Sequence, residues 1–382
     1  MSFPGFRLST ITSLFLLCLG VAPPAWSVQV VSMGPIFSCC NGFDISGNGQ
    51  IVVGAFEPIQ TSTPQYWTPT QGLVTVPGRQ GAFNAISRDG STLAGSGLST
   101  DNFKYSMASG FTDLPATSGR TDLFTLGPSA LTDDGSIVVG VQPQDGFNIG
   151  ESAVMWDAAG NPSVLSQGRA FGISGDGSVV VGRSLINNAN QATIWTPGAV
   201  PGSWTRTGLG TSTINAENAY TVSQDGRIVF GQAGNNSFRW EQGVGTQDIG
   251  GGVANTQVWD TTADGFFAVG SINDPLLTGS ASKAAIWDGI NGWRTLEDLL
   301  LADGFGGNGL TKLEVASAVS SDGRYIAAGE FASSNNGGEG FWIDLGAPLS
   351  VTSVPLPGAF WLFGSGAFGL FCMVRKKKYV TT

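Results

Sequence analysis

A ten-residue unit, clearest as Ile173-Ser174-Gly175-Asp176-Gly177-Ser178-Val179-Val180-Val181-Gly182, occurs seven times along the chain. The other copies begin at Ile45, Ile86, Leu131, Val222, Thr261 and Val319, so successive copies are 41, 45, 42, 49, 39 and 58 residues apart. Six copies hold Asp-Gly in the fourth and fifth places, and the first holds Asn48-Gly49. Asp-Gly or Asn-Gly between apolar runs is a strong hairpin signal, because a type I′ turn needs positive φ at both central residues. Each copy therefore predicts a strand, a two-residue turn and a second strand. The second strand is apolar at consecutive positions, as in Val179-Val180-Val181, which suits a strand covered on both faces. Periods of this length belong to arrays in which one unit cannot bury its own apolar face and stacks on its neighbours.

Between hairpins a second pattern recurs: an aromatic in a short apolar run, a turn, then another short strand. The aromatic is Trp67, Trp156, Trp195, Trp240, Trp287 or Trp342, with Tyr105 in the second copy. Four strands per repeat and seven repeats predict an all-β chain, a seven-bladed β-propeller; a straight solenoid fits four antiparallel strands less well. The last repeat lacks a fourth strand after Asp344, where Pro348 and Pro355-Leu356-Pro357 open a linker. A spare strand, Gln29-Val30-Val31-Ser32-Met33, stands before the first repeat and is expected to fill the gap. One segment departs from the repeat. Thr295 to Asp303 has a Thr cap, acids in its first turn and the apolar spacing of a short helix.

Composition excludes several kinds of chemistry. The chain has no histidine, which removes the commonest general base and metal ligand. Residues 28–354 hold 13 Lys/Arg and 28 Asp/Glu, a net of −15, and an acidic body without a basic patch argues against nucleic-acid binding. Only Cys39 and Cys40 fall in the body, too few for a disulfide framework or a metal site. Asp89, Asp134, Asp176, Asp225, Asp264 and Asp322 form a series, but each sits in a turn, where Asp is chosen for its backbone behaviour. The series resembles the Asp-box of sialidase-type propellers, yet Gly follows Asp directly and the later aromatic is missing. Trp156-Asp157, Trp259-Asp260 and Trp287-Asp288 are Trp-Asp pairs without the other marks of WD repeats. Asp303 to Asn308 resembles a glycine-rich calcium turn in a single copy and reads better as a loop ending the helix. No catalytic, cofactor-binding or metal-ligating residue is assigned, and the chain is expected not to be an enzyme.

The two ends carry addresses. Arg7, the apolar run Ile11 to Ala22 and Ala25-Trp26-Ser27 have the order of a secretory signal peptide over 1–27. Gly358 to Val374 is 17 residues without a charge, the short limit for a membrane-spanning helix, and Arg375, Lys376, Lys377 and Lys378 follow. Val354, Pro355, Leu356 and Pro357, then Gly358-Ala359, the apolar run and the basic end, resemble PEP-CTERM sorting signals in the variant with Leu in place of Glu. That resemblance implies recognition by an exosortase, a membrane processing enzyme, and an association with exopolysaccharide. Residues 43–344 are similar to extracellular HAF-repeat proteins: Ala192-Thr193-Ile194-Trp195 and Ala284-Ala285-Ile286-Trp287 keep that family's Ala and Trp, without the His-Ala-Phe itself. The expected organisation is a signal peptide at 1–27, a propeller at 28–346, a linker with the sorting motif at 347–357, and a membrane segment with basic tail at 358–382. The expected role is a secreted, surface-sorted binding or structural component of the cell envelope or exopolysaccharide matrix, its precursor anchored by the C-terminal helix. A propeller hydrolase or lyase acting on extracellular polysaccharide is the alternative, and a convergent cluster of acids in the central channel would favour it.

Overall fold

The computed structural model describes residues 27–350 apart from 37–42, 57–62, 98–101, 118–126, 144–149, 201, 212, 254, 274–281, 308–309 and 331–337. The signal peptide, Cys39-Cys40, the sorting motif and the apolar tail thus lie outside the described residues. No described helix is long and apolar enough to cross a membrane.

Strands dominate, joined in antiparallel meanders in which each repeat pairs its strands in sequence order. The first strands of the repeats are Phe43–Ile45, Ala82–Ile86, Pro128–Leu131, the second half of Pro162–Ile173, Asn218–Val222, Thr256–Thr261 and Val315–Val319. They pack beside one another in that order, and the last returns to the first. Pro162–Ile173 serves two repeats. Residues 162–167 pair with Glu151–Trp156, while 168–173 pair with Val180–Ile186, so the sheets of the third and fourth repeats run together.

Closure follows the expectation from the two ends of the chain. Gln29–Ile36 pairs antiparallel with Gly338–Asp344, with Val30 opposite Ile343 and Val31 opposite Trp342. The spare N-terminal strand completes the sheet that Val315–Val319 begins. The core is distributed between sheets. Where last meets first, Phe43, Val52 and Trp67 bury against Ala318, Ala327 and Trp342. The third-strand tryptophans pack into the core, as their recurrence implies, with Trp240 half-buried: Trp156 and Trp195 are 0% exposed, and truncating such a residue costs about 3–5 kcal/mol. The indole of Trp342 also donates to the Gly49 carbonyl at 2.8 Å, tying the last repeat to the first turn.

The hairpin turns correct the two-residue expectation. Ser174 N–H donates to Val179 C=O, so the loop holds four residues, Gly175 to Ser178. Gly177 N–H donates to Ser174 C=O inside it, and only Gly177 has positive φ, +76°. Asp176 keeps an ordinary backbone and works through its side chain. Its Oδ1 accepts from the Ser174 hydroxyl at 2.7 Å and from Ser178 N–H at 2.9 Å, while Ser174 Oγ accepts from Val179 N–H at 2.9 Å. The same three bonds recur in all seven turns, with Ser46, Ser87, Thr132, Ser223, Thr262 and Ser320 as the hydroxyl. Asp-Gly is thus half of a motif. The buried hydroxyl two places earlier is the other half.

The short helix spans Leu296–Ala302, with Thr295 capping it by accepting from Asp298 N–H. Leu296 and Leu300 bury in the core between the sixth and last repeats. Asp303 is the C-cap, and Gly304 follows at φ +84°, so the stretch that resembles a calcium turn begins as a helix terminator.

Candidate functional site

The turns meet around the axis at one end. The residue between Ser/Thr and Asp/Asn joins each turn to the next through the backbone, except in the second turn, where the following residue, Asp89, donates. Gly47 N–H donates to Arg88 C=O, Asp89 N–H to Asp133 C=O, and Asp133 N–H to Gly175 C=O. Gly175 donates to Gln224, Gln224 to Ala263, Ala263 to Ser321, and Ser321 back to Gly47, at 2.8 to 3.1 Å throughout the belt. Side chains at these positions fill the middle. Arg88 reaches the Ser321 hydroxyl at 3.2 Å and lies 3.6 Å from Asp133, which also accepts from the Gln224 amide. Gly175 leaves room for this cluster, since a Cβ there would stand 2.4 Å from Asp133 Oδ2.

Above that floor the inner strands enclose a cavity of about 410 Å³. Six of the seven strands carry a one-residue bulge, which sets Asn84, Ser129, Phe171, Tyr220, Trp259 and Ser317 out of the ladder. A bulge re-aims a side chain, and all six line the cavity. The wall has two characters. Phe171, Tyr220 and Trp259, from consecutive repeats, form an aromatic arc with ring centroids 5.4 and 5.2 Å apart. Ser317, Asn84 and Ser129 supply small polar groups around the rest of the circuit. The indole N–H of Trp259 is buried and has no hydrogen-bond partner among the described residues.

Two acids face the same space. Asp44 accepts from Ile45 N–H and, across to the next repeat, from Ile86 N–H, both at 2.8 Å. Asp260 accepts from Thr261 N–H, the Thr221 hydroxyl and, again across to the next repeat, Val319 N–H at 2.9 Å. Both carboxylates latch neighbouring inner strands. Both carboxyls are half-buried in the cavity lining. Burial, reinforced by the charge of Asp260, pushes Asp44 up to about 7 against the pull of its two main-chain donors. Burial likewise raises Asp260, opposed by Arg88, and burial raises the phenol of Tyr220. At the other end Arg169 and Glu330 line the cavity. Arg169 is paired with Glu151, which also holds Arg183 at 3.1 Å.

The turn acids behave as turn residues. Asp176 is lowered by the N–H of Ser178 and the hydroxyls of Ser174 and Ser178, and Asp134 by the same set around Ser136 and Thr132. Among the described residues no group of three acids or cysteines is placed to hold a metal ion. The residues that line the cavity were not singled out by the repeat, because they vary where the repeat is constant. Their signal is positional: two places before each unit stand Phe171, Tyr220 and Trp259 in succession. Trp259 shares a Trp-Asp pair with Trp156 and Trp287, yet it lies on a first strand and they lie on third strands.

A scan against protein-family models finds no match, and a search of curated proteins finds none either. Solved structures do match. The β-propeller domain of Myceliophteria thermophila Cps50 (Swd1) aligns with 82% of this chain and 99% of its own, at 11% identity and a TM-score of 0.51. This chain is a β-propeller. TolB from Acinetobacter baumannii aligns over 75% of this chain and 78% of its own at 15% identity, with a TM-score of 0.42. A putative TolB from Agrobacterium tumefaciens covers 56% of the propeller chain and 78% of its own at 15% identity, with a TM-score of 0.43. At these identities the likeness concerns fold alone.

Proposed function

We propose that the chain is a secreted, surface-sorted, seven-bladed β-propeller that serves as a binding component of the cell envelope or exopolysaccharide matrix. Residues 1–27 direct export, 28–346 form the propeller, 347–357 carry the sorting motif, and 358–382 hold the precursor in the membrane until an exosortase-type enzyme processes it. The blade count is supported by the turn belt, which passes through Gly47, Arg88-Asp89, Asp133, Gly175, Gln224, Ala263 and Ser321 before returning to its start. The observation that carries the binding role is the axial cavity, of the size of small-molecule sites (roughly 300–1,000 Å³) and with a two-sided wall. Its acids already accept main-chain N–H groups, which suits latches better than proton carriers. Two measurements test the role. The full-length chain should be retained on exopolysaccharide from its own host, and mass spectrometry of native protein should find mature chains ending near residue 357. Chains that ignore the polysaccharide and keep Lys378 in the membrane fraction would refute it.

The alternative, a hydrolase or lyase acting on extracellular polysaccharide, draws on one observation: Asp44 and Asp260, both raised, share a cavity with Tyr220. It requires the polysaccharide to shorten on incubation with the chain and Asp260→Asn to stop the shortening. Retention with unchanged polymer length supports binding.

A further inference from the structure

We infer that the axial cavity is a subsite for a neutral saccharide unit, stacked on the Trp259–Tyr220–Phe171 arc; this rests on the matrix-binding reading and names the ligand class of that site. A pyranose has an apolar face of C–H groups and an edge of hydroxyls, so it needs a wall of each kind. The cavity supplies both. The aromatic arc occupies three consecutive blades, and Ser317, Asn84 and Ser129 line the cavity from three of the others. The rings are tilted to each other by 51° and 37°, and all three line the cavity.

The orphaned indole N–H of Trp259 is the second observation. A buried donor without an acceptor costs free energy, and a small rotation of the Trp259 ring on sugar binding would bring its N–H to a sugar hydroxyl at the cavity surface. The charges select among sugars. Asp44, Asp260 and Glu330 line the cavity, and its arginines are engaged, Arg169 with Glu151 and Arg88 with Ser321 beside Asp133. The acids can exchange hydrogen bonds with sugar hydroxyls, and the two engaged arginines are not available to pair with a uronate. Aromatic walls with acids also attract quaternary ammonium groups, but those favour a closed cage of rings, whereas here the arc spans three blades and the bulges opposite it carry hydroxyl and amide groups.

The test uses the full-length chain, purified in a detergent without a sugar headgroup. It is titrated with cellobiose, N,N′-diacetylchitobiose, digalacturonate and choline, following tryptophan fluorescence and heat. One or both neutral disaccharides should bind, with digalacturonate and choline at least about tenfold weaker. Trp259→Ala should weaken binding about tenfold or more, and Trp259→Phe, which keeps a stacking face and loses the donor, by less. Ser129→Phe should abolish binding at an unchanged melting temperature, because Phe171 already occupies the equivalent bulge in the next blade. Binding of a neutral disaccharide that survives Ser129→Phe and Trp259→Ala overturns the cavity as the site and leaves matrix binding standing. Preference for choline or digalacturonate overturns the ligand class. Failure of the wild-type chain to bind these sugars and the native exopolysaccharide overturns both readings.

Discussion

The turn belt and the cavity wall are built from the same seven repeats, a few residues apart, and they use the repeat in opposite ways. At the turns the chemistry is constant: a buried hydroxyl, an Asp or Asn two places on, and a glycine at positive φ in every copy. At the bulges it changes from blade to blade, through Asn84, Ser129, Phe171, Tyr220, Trp259 and Ser317. A closed ring needs equal joints, so the joints are equal. A site needs an unequal wall, and the bulge puts one freely variable side chain from each bulged blade on the axis without disturbing a joint.

The harshest way to break the constant region is Gly177→Val. A β-branched residue resists the φ of +76°, and its Cβ would stand 2.9 Å from Ile137 Cδ1 of the previous blade. The expected loss is about 2–5 kcal/mol, strain plus overpacking, read as a lower denaturant midpoint. Ser174→Ala comes next. It strands the N–H of Val179 and should cost about 1–3 kcal/mol, whereas Ser129→Ala on the cavity wall should change stability by less than about 0.5 kcal/mol. Equal losses at the two serines would erase the distinction between joint and wall.

Acidity separates the regions by sign. Asp44 is raised from 3.8 to about 7, so between those values the folded chain holds a proton that the unfolded chain releases. Its contribution is complete below the unfolded value and is lost as pH rises through about 7. Asp134 and Asp176 are lowered. Their contribution is present above 3.8 and is lost as pH falls through their folded values. Denaturant midpoints should therefore peak at about pH 4–5, and Asp44→Asn should flatten the decline toward neutral pH while leaving the acid side unchanged. A wild-type midpoint rising steadily from pH 4 to 7 would contradict this. The smallest effect is expected at Asp176→Asn, within about 0.5 kcal/mol at neutral pH, because Asn48 accepts the same bonds in the first turn. A large loss would show that charge at the turns matters beyond hydrogen bonding.

What was legible in the sequence was what recurs. Strand order, the tryptophan core, the capped helix and the pairing of the N-terminal strand with the sheet containing Trp342 follow from periodicity and from one missing strand. The turn was half legible, since Asp-Gly was seen and its partner hydroxyl was not. A type I′ reading assigns Asp a backbone role, whereas the loop uses its carboxylate. The cavity was hidden for a different reason. A bulge is one extra residue relative to a partner strand, so it exists only in a register that the sequence does not display. Nothing in the sequence marks Asp44 and Asp260 as latches, because their donors, Ile86 and Val319, belong to neighbouring blades.

The closing sheet also decides how the molecule bears tension. Gly338–Asp344, the strand nearest the tail, lies between Gln29–Ile36 and Tyr325–Gly329. Just beyond it, Leu349 N–H is fastened to Asp322 C=O at 3.1 Å. Force entering along the tail and leaving through a ligand on the axis would load two ladders in parallel. Force drawing the two termini apart acts where Gln29 faces Asp344, and opens a single ladder one bond at a time. Single-molecule pulling in the two geometries should rupture the first at the higher force. Equal rupture forces would mean that the sheet yields elsewhere.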